Sequence, residues 1–243
     1  MMVALQNSNR ELDEFAYVAS HDLKAPLRVI DNASAWLEED LGEQLQGDDK
    51  EHLNLVRSRV KRMEKLLDDL LEYARIGKAS HKHHMHFVEA NDIIENAIQM
   101  VNKPEGFEIV VQPLYKTIEL QPMPMQQIFM NLINNAIKHH DKPQGIIYLG
   151  LEIHKDHYTM SVKDNGPGFE EKYYNQVFHL FKTLKSRDQV EGSGMGLAIV
   201  KKHINLAGGH IWIESTLGQG TSFYWTWPKE GVQHVPEAQQ SHG

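Results

Sequence analysis

Residues 50–77 read KEHLNLVRSRVKRMEKLLDDLLEYARIG, and their apolar positions Leu53, Val56, Val60, Met63, Leu67, Leu70 and Ala74 alternate by three and four without a slip. That spacing predicts a helix carrying the heptad seam of a coiled coil, ending near Gly77. Upstream, residues 5–41 hold one proline and no glycine, with apolar side chains at Leu12, Phe15, Ala19, Leu23, Leu27, Ile30, Ala33, Leu37 and Leu41. The same period predicts a first helix, stopped by Gly42 and the loop GEQLQGDDK, in which Asp48 and Asp49 suit the capping of the second. Two such helices form a hairpin with one apolar stripe uncovered. Pairing two hairpins into a four-helix bundle buries it, so a homodimer is expected.

Composition narrows the classes further. The chain has 243 residues, 25 Lys and Arg against 33 Asp and Glu for a net charge of −8, 41% hydrophobic residues and no cysteine. That length suits two modest domains. Without cysteine there is no disulfide framework, zinc-thiolate site or thiol nucleophile, and a cytoplasmic setting is the default. No apolar run approaches the ~20 residues that span a bilayer, and the acidic balance argues against binding nucleic acid through phosphates. Any phosphate must be held locally.

At about 100° per residue around the first helix, His21 falls nearly opposite the apolar stripe, with Tyr17, Lys24 and Arg28 on the same side and Asp22 on its flank. A solvent-facing imidazole there can meet a macromolecular substrate. Pro26, five residues on, removes one helical hydrogen bond and crowds the carbonyl of Asp22, which predicts a bend. By itself His21 is one of 15 histidines on a polar face.

After Gly77 the texture changes. His81, His83, His84 and His86 crowd residues 79–86; a strand would throw them to alternate sides, and no carboxylate or cysteine completes a metal shell, so an interdomain linker is expected. Mixed periodicity then predicts a helix around Asp92–Val101, strands near Phe107–Val111 and Thr117–Leu120, and a helix from Met125 to His140. Strands near Ile146–His154 and Tyr158–Lys163 follow, then a glycine-rich stretch to Gly194, a helix to Leu206, and a hairpin of His210–Ser215 with Thr221–Trp227. The expected class is α+β: a helical hairpin over residues 1–78, the linker 79–86, an α/β sandwich over 87–228, and a disordered tail over 229–243.

Four clusters carry chemistry. On QQIFMNLINNAIKHH (126–140), Asn131 and Asn135 lie one turn apart and Lys138 and His139 continue that flank. Neutral amide oxygens can hold Mg²⁺ beside a polyphosphate without the repulsion that clustered carboxylates would bring. DNGPGF (164–169) follows a strand, presenting Asp164 at a sheet edge with Gly166 and Gly168 admitting a flat ligand. EGSGMGLAIV (191–200) places Gly192, Gly194 and Gly196 just before a helix N-terminus, where free amides favour phosphate. GQGTSF (218–223) sets Gly218, Gly220 and Thr221 in the closing hairpin.

In this order and spacing the clusters resemble the core of a two-component sensor histidine kinase, phytochrome-like and PAS-linked in style, over residues 5–228. FAYVASHDLKAPLRVI is similar to the H-box, MNLINNAIKHH to the N-box, DNGPGF to the G1 box, VFHLFKTL to the F-box and EGSGMGLAIV to the G2 box. The resemblance implies a dimerisation and phosphotransfer hairpin joined to an ATP-binding sandwich of the GHKL (Bergerat) type. It implies His21 as phosphoacceptor, with Asp22 orienting the imidazole or taking its proton. It implies that Asp164 accepts from the adenine amino group and that Asn131 and Asn135 hold Mg²⁺ beside the phosphates of ATP. Lys138, His139, Gly166, Gly168, Phe178, Phe181, Leu197 and Thr221 would line the nucleotide, and Gly192, Gly194 and Gly196 would belong to its lid. The implied partners are a response-regulator receiver domain and an upstream sensory domain or separate sensor protein.

Two positions depart from the pattern. Thr183 stands where the F-box usually has Arg, which leaves the γ-phosphate to Lys182, Lys185 or Arg187. Ala25 stands four residues after His21, where many relatives have Thr or Asn positioning a water for dephosphorylation of the partner. The same fold in ATPase machines uses a Glu to activate water; Asn131 stands there and cannot take a proton, which favours a histidine acceptor over hydrolysis. A dimeric ATP-binding scaffold without transfer is the other alternative.

Overall fold

The computed structural model describes residues 2–42, 44–77, 86–112, 117–184 and 193–229, without the side chains of residues 2–21, 86 and 87. Contacts divide the chain into two units, one of residues 1–80 with 177–199 and one of residues 81–176 with 200–243.

In the first unit, α1 (Met2–Leu41) and α2 (Asp48–Arg75) pair as a hairpin. The helix α1 continues through Pro26. Gly47 takes a positive φ of 55° to turn the chain into α2. Asp48 and Asp49 lie inside the first turn of α2 and make no capping bond there, so with Glu51 they act through the helix dipole, as Arg75 does at the far end. Leu27, Val60 and Leu67 form the seam between the helices. Ion pairs flank it, Lys24 with Asp68 and Glu38 with Arg57. Lys24 is therefore half-buried on the α2 side rather than on the free face expected for it. Among the described side chains of the apolar stripe on α1, Leu27 is buried, whereas Leu23 (51% exposed), Ile30 and Leu37 stand open, as do Val56 and Met63 on α2.

The second unit is a two-layer α/β sandwich, as the patterning predicts. The elements run β1 (His86–Glu89), α3 (Ala90–Gln99), β2 (Phe107–Val111), β3 (Thr117–Leu120), α4 (Pro122–His139), β4 (Gly145–Ile153) and β5 (His157–Asp164). After a loop with two short 3₁₀ turns come α5 (Gly196–Leu206), β6 (Ile211–Thr216) and β7 (Gly220–Pro228). The strand β1 is not anticipated by the sequence; it pairs antiparallel with β3, His86 opposite Leu120. The main sheet has the order β2-β4-β5-β7-β6, with β2 parallel to β4 and every other pair antiparallel. One face is buried at every second residue: Ile147, Leu149 and Leu151 on β4, Tyr158, Met160 and Val162 on β5, Phe223, Trp225 and Trp227 on β7. Onto it α4 lays Met125, Ile128, Phe129, Leu132 and Ile133, and Phe129 meets Trp225 edge-on with centroids 5.1 Å apart. A hydrogen bond of 2.8 Å between His203 Nε2 and Gln127 Oε1 ties α5 to α4. His81, His83 and His84, and the tail beyond Lys229, lie outside the described residues. No helix among the described residues is long and apolar enough to cross a membrane.

Candidate nucleotide site

Burying Leu132, Ile133 and Ala136 turns the opposite flank of α4 outward, because positions one turn apart share a face. That flank carries half-buried Asn131 and Asn135, exposed Lys138 and half-buried His139. The Asn131 amide donates from Nδ2 to the Gln127 carbonyl at 3.0 Å, which leaves its Oδ1 as an open acceptor. These neutral oxygens fit a hard cation shared with phosphates. No cluster of three or more His, Asp or Glu able to hold a metal occurs among the described residues, so a cation here would depend on its ligand for charge.

Asp164 ends β5, where the ladder with β7 places it opposite Thr221. Its Oδ1 accepts the backbone N–H of Gly166 at 2.9 Å and of Thr221 at 3.3 Å. Burial pushes its carboxyl above the usual range, opposed by those two N–H groups and by His140. Both contacts use one oxygen, so the carboxylate is fixed in direction while Oδ2 stays available to a donor.

The loop after Asp164 is clamped to the β6–β7 hairpin. Gly218 N–H donates to the Pro167 carbonyl at 2.7 Å, and Phe169 N–H to Ser215 Oγ at 2.9 Å. The hydroxyl of Tyr174 donates to the Ser215 carbonyl at 2.7 Å and accepts the Ser215 N–H at 2.6 Å. Gly168 has a φ of 60°, and a Cβ there would lie 2.2 Å from the Thr216 carbonyl oxygen. Only glycine permits that approach. Thr221, 6% exposed, joins Ser215 through its hydroxyl at 3.0 Å.

In the first unit, Phe181 N–H donates to the Gly194 carbonyl at 3.1 Å, with Phe181 at a φ of 63° and Gly194 at 73°. Phe178 and Leu197 are half-buried, Lys182 is exposed, and Gly196 opens α5. Lys185, Arg187 and Gly192 lie outside the described residues. The backbone of His21 lies within α1, its side chain outside what the structure describes; neighbouring Asp22, Ala25 and Arg28 are exposed. The structure thus joins Asp164, Gly166 and Thr221 by hydrogen bonds, and lines Asn131, Asn135 and Lys138 along one helix.

Sequence reasoning passed over His140. Its imidazole is only 1% exposed and bonds the loop residue Asn165, 25 positions away. Tyr174 and Ser215 were passed over as well, since neither sits in a glycine or amide cluster. No local signal distinguishes a residue whose partner is so distant in sequence.

The architecture defines a class: a long helical hairpin followed in the chain by a helix-backed mixed sheet is the two-part core of a histidine kinase. Residues 11–79 match the family described as "His Kinase A (phospho-acceptor) domain", and residues 120–231 match "Histidine kinase-, DNA gyrase B-, and HSP90-like ATPase". The chain is 39% identical over 229 residues to cyanobacterial phytochrome B of Nostoc sp. strain PCC 7120, covering 92% of this chain and 30% of that one. It is 32% identical over 229 residues to the methanogenesis regulatory histidine kinase FilI of Methanothrix harundinacea, covering 92% of this chain and 25% of that one. Among solved structures, full-length ShkA in complex with AMPPNP superposes with a TM-score of 0.67 at 26% identity, covering 88% of this chain and 45% of that one. The chain belongs to the histidine kinase family. It spans under a third of the length of these two curated relatives.

Proposed function

We propose that this chain is the catalytic core of a protein histidine kinase, which binds Mg-ATP, phosphorylates its own His21 and relays the phosphoryl group to an aspartate of a response-regulator receiver domain. The observation that carries the reading is Asp164: a half-buried carboxylate, fixed through Oδ1 by Gly166 and Thr221, with Oδ2 left to accept from an adenine amino group. Gly166 and Gly168 let the turn after Asp164 close on His140 and on the Thr216 carbonyl, and so hold Asp164 in place. The flank of Asn131, Asn135 and Lys138 receives the phosphates. The complex of ShkA with AMPPNP, an ATP analogue, supports a nucleotide in this fold.

The chemistry needs little from the protein beyond positioning and charge. A neutral imidazole nitrogen of His21 forms the new bond to Pγ while the bond from Pγ to the bridging oxygen of ADP breaks, and the imidazole proton passes to Asp22. Mg²⁺, where bound, neutralises charge on the phosphate oxygens, and Oδ1 of Asn131 and of Asn135 would hold it. Lys182, Lys185 or Arg187 supplies the cation that Thr183 does not. Asn131 cannot accept a proton from water, so hydrolysis is disfavoured.

The kinase works as a homodimer. Leu23, Ile30, Leu37, Val56 and Met63 are uncovered beside the hairpin seam, and a second hairpin would bury them in a four-helix bundle. Input comes from a sensory domain or a separate sensor protein.

Incubation with γ-labelled ATP tests the reading. Acid-labile, base-stable label on the wild type and none on His21→Gln is the expected result. Nucleotide binding with no label on the wild type would favour a scaffold, and phosphate released at full rate by His21→Gln would favour an ATPase.

A further inference from the structure

His140 caps the C-terminal end of α4, where the backbone turns extended, and its ring is held from several sides. Phe107 of β2 packs edge-on against it with centroids 5.2 Å apart. Two glycines make the slot: a Cβ on Gly145 would lie 2.9 Å from the ring Nε2, and one on Gly166 would lie 3.3 Å from Cδ2. Polar partners make its Nε2 a donor. Asn165 Oδ1 accepts the Ile146 N–H at 2.8 Å, so that atom is the oxygen, and the imidazole Nε2 3.1 Å away must donate to it. At Nδ1 the ring meets the backbone of Lys142, whose N–H and carbonyl both lie 3.1 Å away. Both ring nitrogens thus have polar partners.

Asn165 is the residue between Asp164 and Gly166, and its own N–H returns to the Ile146 carbonyl at 3.3 Å. The helix whose end His140 occupies is the one that carries Asn131 and Asn135. We propose that His140 is a positioning residue for nucleotide binding: its Nε2–H, donated to Asn165 Oδ1, fixes the loop bearing Asp164 to the end of the helix bearing Asn131 and Asn135. The inference rests on the nucleotide site proposed above. His140 touches no reacting atom; it sets the spacing between the group that receives the base and the groups that receive the phosphates.

The test uses the intact chain and a fluorescent trinitrophenyl-ATP, displaced by ATP, with thermal unfolding recorded for each variant. His140→Gln places an amide N–H where Nε2 stands, His140→Asn reaches only as far as Nδ1, and His140→Met fills the slot without a donor. Without that bond nucleotide must hold the loop itself, at a cost of at most the worth of one hydrogen bond, roughly tenfold in affinity. The expected result is ATP affinity within about threefold of wild type for Gln and roughly tenfold weaker for Met and Asn. Methionine binding as tightly as wild type would reduce His140 to packing and overturn the proposal; so would Gln binding no better than Met. Asp164→Asn is measured alongside. If it weakens binding while all His140 variants match wild type, His140 alone loses its role, whereas unchanged affinity in Asp164→Asn overturns the nucleotide site and this inference together.

Discussion

Asp164→Asn should move affinity and stability in opposite directions. The substitution keeps the shape of the side chain, and an amide oxygen at the Oδ1 position can still accept from Gly166 and Thr221, at 2.9 and 3.3 Å. The amide NH₂ then occupies the Oδ2 position and faces the adenine amino group donor to donor. A hydrogen bond to a charged partner contributes about 1.5–3 kcal/mol, so the dissociation constant for ATP should rise by roughly 10- to 150-fold. Stability should change the other way. Burial holds the Asp164 carboxyl above its ordinary value, so ionisation at neutral pH opposes folding, and a neutral amide removes that opposition. Titration of the variant with ATP in a calorimeter, beside thermal unfolding of the nucleotide-free protein, reads both. An affinity within twofold of wild type would refute the role of Oδ2. A lowered melting temperature without nucleotide would refute the account of the buried charge.

Glu72 offers a separate test by pH. Its carboxyl is raised by burial first and by Asp69 and Asp68, against an opposing Lys65, so its contribution to stability is lost as pH rises from 4.5 through the higher folded value. Glu72→Gln should therefore melt higher than wild type at neutral pH, with the difference vanishing below about pH 4.5; a pH-independent difference would contradict this. Gly168→Ala should cost about 1–3 kcal/mol through its positive φ and its clash with the Thr216 carbonyl, seen as a lower denaturant midpoint, and unchanged stability would dismiss the close approach. Ile30→Asp combined with Leu37→Asp should convert a dimer to a monomer in sedimentation equilibrium, since both side chains lie on the uncovered flank. A variant still dimeric would move the interface elsewhere.

Much of this architecture is legible because it is periodic. The helical period of α2, of whose seven heptad positions Val60, Leu67 and Ala74 are buried while Val56 and Met63 stand open, the alternation along β4, β5 and β7, and the amide flank of α4 each repeat within a short window. What escapes is decided by partners far away. HFVE, residues 86–89, carries too little alternation to declare itself, and becomes β1 because β3 supplies its ladder. Lys24 belongs to the polar side of α1 by angle alone, yet its long side chain reaches Asp68 across the hairpin. The candidate site divides in the same way. Asp164 and the glycines around it are legible from turn chemistry, whereas the links from His140 to Asn165 and from Tyr174 to Ser215 join residues 25 and 41 positions apart.

The order of strands has a consequence for how the molecule is made. The last strand among the described residues, β7, is not at an edge: it inserts between β5 and β6. Until it does, β5 is paired on one side only, Asp164 lacks the Thr221 amide 57 residues downstream, and the proposed cradle for a base is half built. Pairings so distant in sequence close slowly, because the entropy of the intervening loop is lost before any contact compensates for it. The proposed site is thus complete only once β7 has paired. From then on nucleotide itself secures the closure, by ~2.7 kcal/mol at a hundredfold excess over its dissociation constant.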